Sequence, residues 1–349
     1  MDNTTKFFLG SNSDKGFISY FEQLQERSDS MQLLILKGGP GSGKSSLMKR
    51  IFEYAKEKGH ITELIMCASD PASLDALIDY TMNFAIVDGT APHTIDPSLP
   101  GAQQHIVYTG DLWDTQKLKE NLGRITFFND AVAEHHKSAT AYIKAASSLL
   151  SENMAYSKKH LNEEKIISYI EKITKKIPGG KGVKKKVRLL SAVSMGEIKF
   201  LSETIPLLAD SVYVIDDEWG AASDTIFKEI ENILRQKRCE YIVCPCSVMK
   251  EKTDHIILPE AKIAFTVKNS FLRNEKGIQI NGNDFYKPMS EVLLMQRRVS
   301  YAQKLLGAAC GNVKKAKKLH DSLEYMYIKA MDFSKMDTVF EKIIKKFYS

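Results

Sequence analysis

Gly38-Gly39-Pro40-Gly41-Ser42-Gly43-Lys44-Ser45 is the stretch of this chain whose residue types and spacing point most directly to chemistry. It satisfies G-x-x-x-x-G-K-[ST], and the chemistry of that spacing is phosphate binding. A triphosphate needs many N–H donors converging on a curved anion. Glycines let the backbone turn tightly enough for the amides of about Gly41–Ser45 to point inward, and the positive end of a following helix adds to their field. Lys44 would reach the β- and γ-phosphates, the Ser45 hydroxyl would ligate Mg²⁺, and Ser46 completes the expected cofactor-binding run. A second metal-holding oxygen is expected at Asp88, which ends the apolar run NFAIVD. Lys44, Asp88 and His93 are the expected catalytic residues, His93 as part of a loop that closes the site. Asp70, Asp96 and Asp111 also follow expected strand ends and are candidates for orienting water or substrate.

Two absences narrow the chemistry. Gly89 follows Asp88, where many ATP-hydrolysing motors carry a Glu as the base for water. Hydrolysis would have to recruit another residue or be slow. Transfer to a small acceptor usually needs several arginines on a lid, yet between Ser45 and residue 175 only Arg50 and Arg124 occur.

These residues need elements to position them. Residues 31–37 form a compact apolar run that suits a buried strand, and 44–58 carry Leu47, Met48, Ile51, Phe52 and Ala55 at helical spacing, closed by Gly59. Further strands fit 61–67 and 83–88, with a short one at 105–109, and strand–helix–strand order predicts a largely parallel sheet. Residues 13–27 are expected as an amphipathic helix. A helical tract fits 115–177, broken near 121–123.

The second half begins again. Residues 211–217, 241–246 and 262–267 read as strands, 224–237 as a helix, 268–288 as a hairpin, and 334–349 as a helix docked on the core rather than on a membrane surface. A gap-free offset of 179 residues pairs Ile35 with Val214, Gly41 with Gly220, Cys67 with Cys246 and Asp75 with Asp254. Helix residues 143–154 pair less closely with 313–324. The frame repeats but the chemistry does not. Ser223 stands at the place of Lys44, Asp224 at that of Ser45, and Asp216, Asp217 and Glu218 would repel a triphosphate. A solvated acidic loop is expected there, with a metal site at those acids as the alternative. Cys244-Pro-Cys246 is expected to be structural.

The expected fold is therefore α/β, with two P-loop-NTPase-like αβα units of mostly parallel sheet, the second degenerate, and added helical segments. The expected domains are 1–174, a basic Gly/Lys linker at 175–186, and 187–349. The chain has 349 residues, 43% hydrophobic and 26% charged, with a formal net charge of +6. That is globular composition, and its mild basicity does not imply nucleic acid. Five cysteines make no secreted disulfide framework, and neither a signal peptide nor an apolar run of about 18 residues is read. A cytoplasmic protein without a membrane span is expected, its oligomeric state open.

The segments 7–21, 36–51, 67–78, 85–102 and 316–333 resemble an uncharacterised bacterial family of duplicated P-loop proteins, the stretch DGTAPH…DP…PGA being its most specific part. Members are labelled ATPase or nucleotide kinase by motif, so the resemblance implies the fold and ATP binding rather than a substrate. Members often keep a second phosphate loop, and this chain departs there. The leading expectation is binding and hydrolysis of ATP or another nucleoside triphosphate with Mg²⁺ at one site in the first half. The alternatives are a nucleotide-gated binding protein with little turnover, which would need an unidentified protein or small-molecule partner, and a nucleotide or small-molecule kinase.

Overall fold

The computed structural model describes residues 4–25 and 31–348. In the first half these form β1 (Thr4–Phe7), β2 (Gly10–Ser13), β3 (Gly16–Ser19), β4 (Gln32–Lys37), α1 (Lys44–Glu57), β5 (Thr62–Met66), β6 (Leu74–Asp79), β7 (Phe84–Asp88), β8 (Gln104–Tyr108), α2 (Thr115–Glu120), α3 (Leu122–Lys158) and α4 (Glu163–Thr174). The second half adds β9 (Lys184–Val187), β10 (Ser191–Val193), β11 (Ile198–Phe200), α5 (Ile205–Leu208), β12 (Ser211–Asp216), α6 (Ala221–Gln236), β13 (Glu240–Pro245), β14 (Thr253–Leu258), β15 (Ile263–Lys268), β16 (Ile278–Asn281), α7 (Val292–Ala330) and α8 (Met336–Phe347). Among the described residues, no helix is long and apolar enough to cross a membrane.

Strand β4 is apolar on both faces because both are covered. Leu34 and Leu36 pack with Leu47, Met48 and Ile51 of α1, while Leu33 and Ile35 join the opposite core with Phe8, Leu9 and Phe21. The first sheet has the order β1-β5-β6-β7-β4-β8, and the second the order β9-β13-β14-β15-β12-β16. In each, one strand is reversed: β6 against β5 and β7, β14 against β13 and β15. The repeat extends to backbone detail. The left-handed residues Gly41 and Gly220, Gly59 and Arg238, and Asn83 and Lys262 each stand 179 positions apart.

The two mostly parallel sheets meet edge to edge. Phe8 and Leu189 exchange backbone hydrogen bonds of 2.8 and 2.9 Å beside β1 and β9. Ile242, Cys244, Ile257 and Ala264 from the second sheet then share one core with Ile65, Ala76 and Ala85 from the first.

The helices are exchanged between the halves. α3 and α7 pack antiparallel, with Asn153 Nδ2 donating to the Met295 carbonyl (2.9 Å) at one end and His135 facing Asn312 (3.0 Å) at mid-seam. Each long helix thus ends on the other half. α4 packs its Ile166 and Ile170 with Ile226 and Ile230 of α6, and α8 packs its Met336 and Ile343 with Leu47 and Ile51 of α1. The exchange is reciprocal in its hydrogen bonds too. Asp332 N–H donates to Leu112 C=O and Asn162 N–H to Phe285 C=O, both at 2.8 Å.

Four expectations change. In place of a helix at 13–27 there is the hairpin β2–β3 and a 3₁₀ turn at Phe21–Gln25; Gly16, at φ 92°, makes a hairpin turn there, and residues 26–27 lie outside the described residues. Residues 74–79 and 253–258 are strands that the apolar pattern does not single out. LDALID has no alternation to read because all six residues are buried, and its acids are paired, Asp79 with His60 (2.7 Å) and Asp75 with His93 (3.2 Å). Residues 268–288 do not form a hairpin, because β16 pairs parallel to β12 at the sheet edge. Residues 184–187, reaching into the lysine-rich stretch expected as a linker, pair with β13 as an edge strand.

Beside the sheet junction, Arg188 Nε donates to Glu63 (2.6 Å), both residues are almost fully buried, and Tyr80 donates to the other Glu63 oxygen at 3.0 Å. Arg188→Met leaves that carboxylate buried with its charge uncompensated, and should cost about 3–5 kcal/mol in denaturant unfolding. Adding Glu63→Gln should recover much of the loss. A single-variant cost below about 1 kcal/mol, typical of exposed pairs, would show that the pair is not holding the junction.

Candidate functional site

The glycine-rich loop joins β4 to α1 at the carboxyl edge of the first sheet. Gly43 precedes α1 in the left-handed conformation, no side chain caps the helix, and its first turn carries no acid. The first-turn amides therefore keep their donors and the positive end of the helix is uncompensated. Thr109 packs the loop from below, donating to the Ser42 hydroxyl at 2.9 Å; a Cβ on Gly38 would lie 2.1 Å from its Oγ1. Ser42, buried, donates in turn to the Gly39 carbonyl (2.9 Å). Pro40 lies between these fixed points, and Ser46 is exposed on the first turn of α1.

Lys44, Ser45 and Asp88 come together. The buried Lys44 ammonium donates to the carbonyls of Gly38 (2.9 Å) and Gly39 (2.8 Å) and lies 3.6 Å from Asp88 Oδ2. Asp88 Oδ1 is held by the Thr90 amide (2.9 Å) and hydroxyl (2.5 Å), which leaves Oδ2 facing the loop. The Ser45 hydroxyl accepts from the Leu74 amide at 3.0 Å and keeps a further lone pair. Two hard oxygens beside a cationic loop fit a Mg²⁺ site. The neighbouring acids are engaged elsewhere: Asp96 with Lys37 (2.9 Å), Asp70 with Lys317 (3.3 Å).

His93 stands apart from the loop. Its ring lies between Phe17 and Phe21, with centroids 5.2 and 4.5 Å away, and Nε2 is 3.2 Å from Asp75. Burial alone would lower its pKa, but Asp75, with Asp88 further off, holds it above the ordinary histidine value.

Sequence reasoning missed the roof of the site, which the second half supplies. A Cβ on Gly41, at φ 66°, would stand 2.7 Å from the Glu324 carbonyl oxygen; one on Gly39 would meet Trp113 and Tyr327 at 3.0 and 3.5 Å. Lys317, His320, Glu324 and Tyr327 follow at helical spacing and bring one face of α7 across the strand ends. The ligand atoms of His320, Asp321 and Glu324 lie within 4.8 Å of one another. Burial depresses the His320 pKa, Lys317 and Lys44 push in the same direction, and the Glu324 and Asp321 carboxylates offset part of this. The signal for this face lies in residues 316–333, which carry part of the family resemblance but no site motif of their own. An open groove of about 800 Å³ lies on the flank of α7, between Asp321, Tyr325 and Lys329 and the residues Lys117, Asn121 and Arg124, whereas the loop itself is roofed.

The second-half loop is filled from within. Asp217, at the place of Gly38, is buried and accepts from the Ser223 amide (2.7 Å), the Trp219 amide (3.2 Å) and the Tyr286 hydroxyl (2.9 Å). Ser223 occupies the place of Lys44, so a carboxylate sits on the amide at the helix start. The acidic loop expected to be solvated is thus partly internal, because the unpaired amides of a helix start draw in the nearest anion. Asp224 is buried too, paired with Lys228 (2.7 Å). Cys244 and Cys246 are free thiols; burial raises both, Cys246 to about 12.

The family described as Nephrocystin 3, N-terminal, matches residues 18–79, from the end of β3 through the glycine-rich loop and α1 to the end of β6. No curated protein and no solved structure matches the chain.

Two outcomes follow from these contacts. The raised folded pKa of His93 means that its charge stabilises the fold fully below about pH 6.5, and that this contribution is lost as pH rises through the folded value. The unfolding free energy of wild type should therefore exceed that of Asp75→Asn by more at pH 6 than at pH 9, the two gaps differing by on the order of 1 kcal/mol. A pH-independent gap would mean that the pair is neutral. Asp217→Ala strands two amides and a hydroxyl and should cost about 2–4 kcal/mol in urea unfolding; a cost under about 1 kcal/mol would show that the carboxylate does not hold the loop.

Proposed function

We propose that the chain binds a nucleoside triphosphate, ATP in the first instance, with Mg²⁺ at the Gly38–Ser45 loop and hydrolyses it there. The observation that carries this reading is the contrast between the two loops. They share a frame, and the one in the second half holds its own carboxylate on the helix-start amides. In the first half that carboxylate is replaced by Gly38, and a buried Lys44 has been added. Such a loop has the donors of an anion site without an internal anion to fill it.

In this reading Lys44 leaves the Gly38 and Gly39 carbonyls for the β- and γ-phosphates and stabilises the charge that develops on them. Ser45 Oγ and Asp88 Oδ2 would hold the Mg²⁺, which neutralises phosphate charge when bound. His93, paired with Asp75 and enclosed by Phe17 and Phe21, supports the loop after β7 from behind. The hydrolytic step distinguishes this reading from gated binding and from transfer to an acceptor.

Titration calorimetry of the purified chain with ATP and Mg²⁺ tests binding, and phosphate release tests turnover. Lys44→Ala should weaken binding at least about tenfold, equal to the ~1.4 kcal/mol or more expected of a lost charge-assisted contact. Chelating Mg²⁺ should abolish phosphate release. Equal binding and equal release by wild type and Lys44→Ala would remove the basis of the proposal.

A further inference from the structure

Asp88 is followed by Gly89, so no carboxylate beside the end of β7 stands ready to take a proton from water. A replacement comes from the other half of the molecule. We infer that Glu324 on α7 is the general base that activates water against the γ-phosphate; this rests on the nucleotide reading above.

Three observations converge on Glu324. First, its backbone lies directly over the loop, its carbonyl oxygen 2.7 Å from where a Cβ on Gly41 would be. Second, the face of α7 from Lys317 to Tyr327 is addressed to the site. Lys317 is anchored to Asp70 at 3.3 Å, His320 lies within electrostatic reach of Lys44, and Tyr327 covers Gly39. His320 Nδ1 is 3.9 Å from the Glu324 carboxylate, beyond hydrogen-bond distance, and places that carboxylate on the same side of α7 as His320.

Third, the repeat supplies an internal comparison. Leu161 and Met331, the bridge residues that follow α3 and α7, set the two helices in correspondence at an offset of 170 residues, which pairs Met154 with Glu324; their bridge partners ahead of the helices, Trp113 and Tyr286, stand 173 apart. Met154 does stand over the matching glycine, its Sδ 3.8 Å from a Cβ on Gly220. The position above the loop is thus a thioether where Asp217 fills the nest, and a carboxylate where the nest carries Lys44 and Ser45. A thioether accepts no proton from water, whereas a glutamate does.

In the step itself the water oxygen bonds to the γ-phosphorus while its proton passes to the Glu324 carboxylate. The bond from phosphorus to the bridging oxygen breaks, and its electron pair stays on the β-phosphate, giving the nucleoside diphosphate and inorganic phosphate. Glu324 then releases its proton to solvent. The base therefore belongs to one half of the chain and the phosphate loop to the other.

The test uses the full chain with ATP and Mg²⁺, and reads equilibrium binding and phosphate release for wild type, Glu324→Gln and Glu324→Asp. Glu324→Gln, nearly isosteric on a half-exposed helix face, should bind ATP within about threefold of wild type but release phosphate about 100-fold more slowly. Glu324→Asp should retain part of the rate. Release by Glu324→Gln within about threefold of wild type, with binding intact, overturns the assignment and leaves the nucleotide site standing. Loss of binding in Glu324→Gln equal to that in Lys44→Ala also overturns it, by making Glu324 part of ground-state binding. Wild type that binds ATP without releasing phosphate overturns the base and keeps the site. Wild type that binds no ATP removes the nucleotide reading itself, and this inference with it.

Discussion

The antiparallel packing of α3 on α7 is the contact on which the rest of the molecule depends. Helices of 37 and 39 residues each run on the order of 55 Å, long enough to begin on one sheet and end on the other. Their seam is built from Ala139, Ala146, Ala302 and Ala309 among larger aliphatics, so the backbones approach closely. Polar locks at one end, Asn153 to Met295, and at mid-seam, His135 to Asn312, fix the register. Register matters because one residue of slip turns a helix by about 100°. A slip of that size would carry Glu324 away from Gly41 and Met154 away from Gly220 together.

The two loops then show how one frame accommodates opposite electrostatics. A strand, a glycine-led turn and a helix start recur 179 residues apart and leave amides that need an anion. In the second half the Asp217 side chain meets that need from inside, with Tyr286 donating to the same carboxylate. In the first half no side chain extends from position 38, and Thr109 closes the space that one would take. The proposed ligand site thus differs from its own repeat by the internal carboxylate of Asp217 and by Lys44 and Ser45, which the repeat replaces with Ser223 and Asp224.

Much of this is legible in the sequence, and what is not has a common cause. The compact apolar run of β4, the spacing of Leu47, Met48 and Ile51, and Gly59 at the end of α1 all report local geometry, and each matches the element that forms. The 179-residue offset is visible in the apolar pattern alone. Strand β6 is not, because its carboxylates are satisfied by histidines on other elements, His60 and His93, and an acid with a distant partner looks like a loop residue. The helix expected at 13–27 fails at Gly16, where a positive φ turns the chain into a hairpin and the later aromatics pack around His93 instead of along a helix face. The roof over the loop is least legible. Lys317, His320 and Glu324 share a face at helical spacing, but nothing local says that this face crosses to the other half.

Reciprocal exchange also accounts for a second half whose loop lacks the counterparts of Lys44 and Ser45. α8 places Met336 and Ile343 in the core beneath the first loop, stacks Phe347 on Phe84 at 4.6 Å, and ties Asp337 to Arg50 at 2.8 Å. Without these residues the face of the first sheet that carries Leu34, Leu36 and Ile86 would keep α1 but lose the rest of its cover. The second sheet therefore does structural work that is independent of its own loop, since it fixes where α7 begins. Filling that loop with Asp217 strengthens this role, because a nest satisfied from within holds its shape whether or not a ligand is present. The first loop, with Lys44 folded onto its own carbonyls beneath Glu324, is the place where a bound anion would change the contacts between loop and roof. The two halves thus differ in their loops: one leaves its helix-start amides without an internal carboxylate, and the other anchors the helix that covers them.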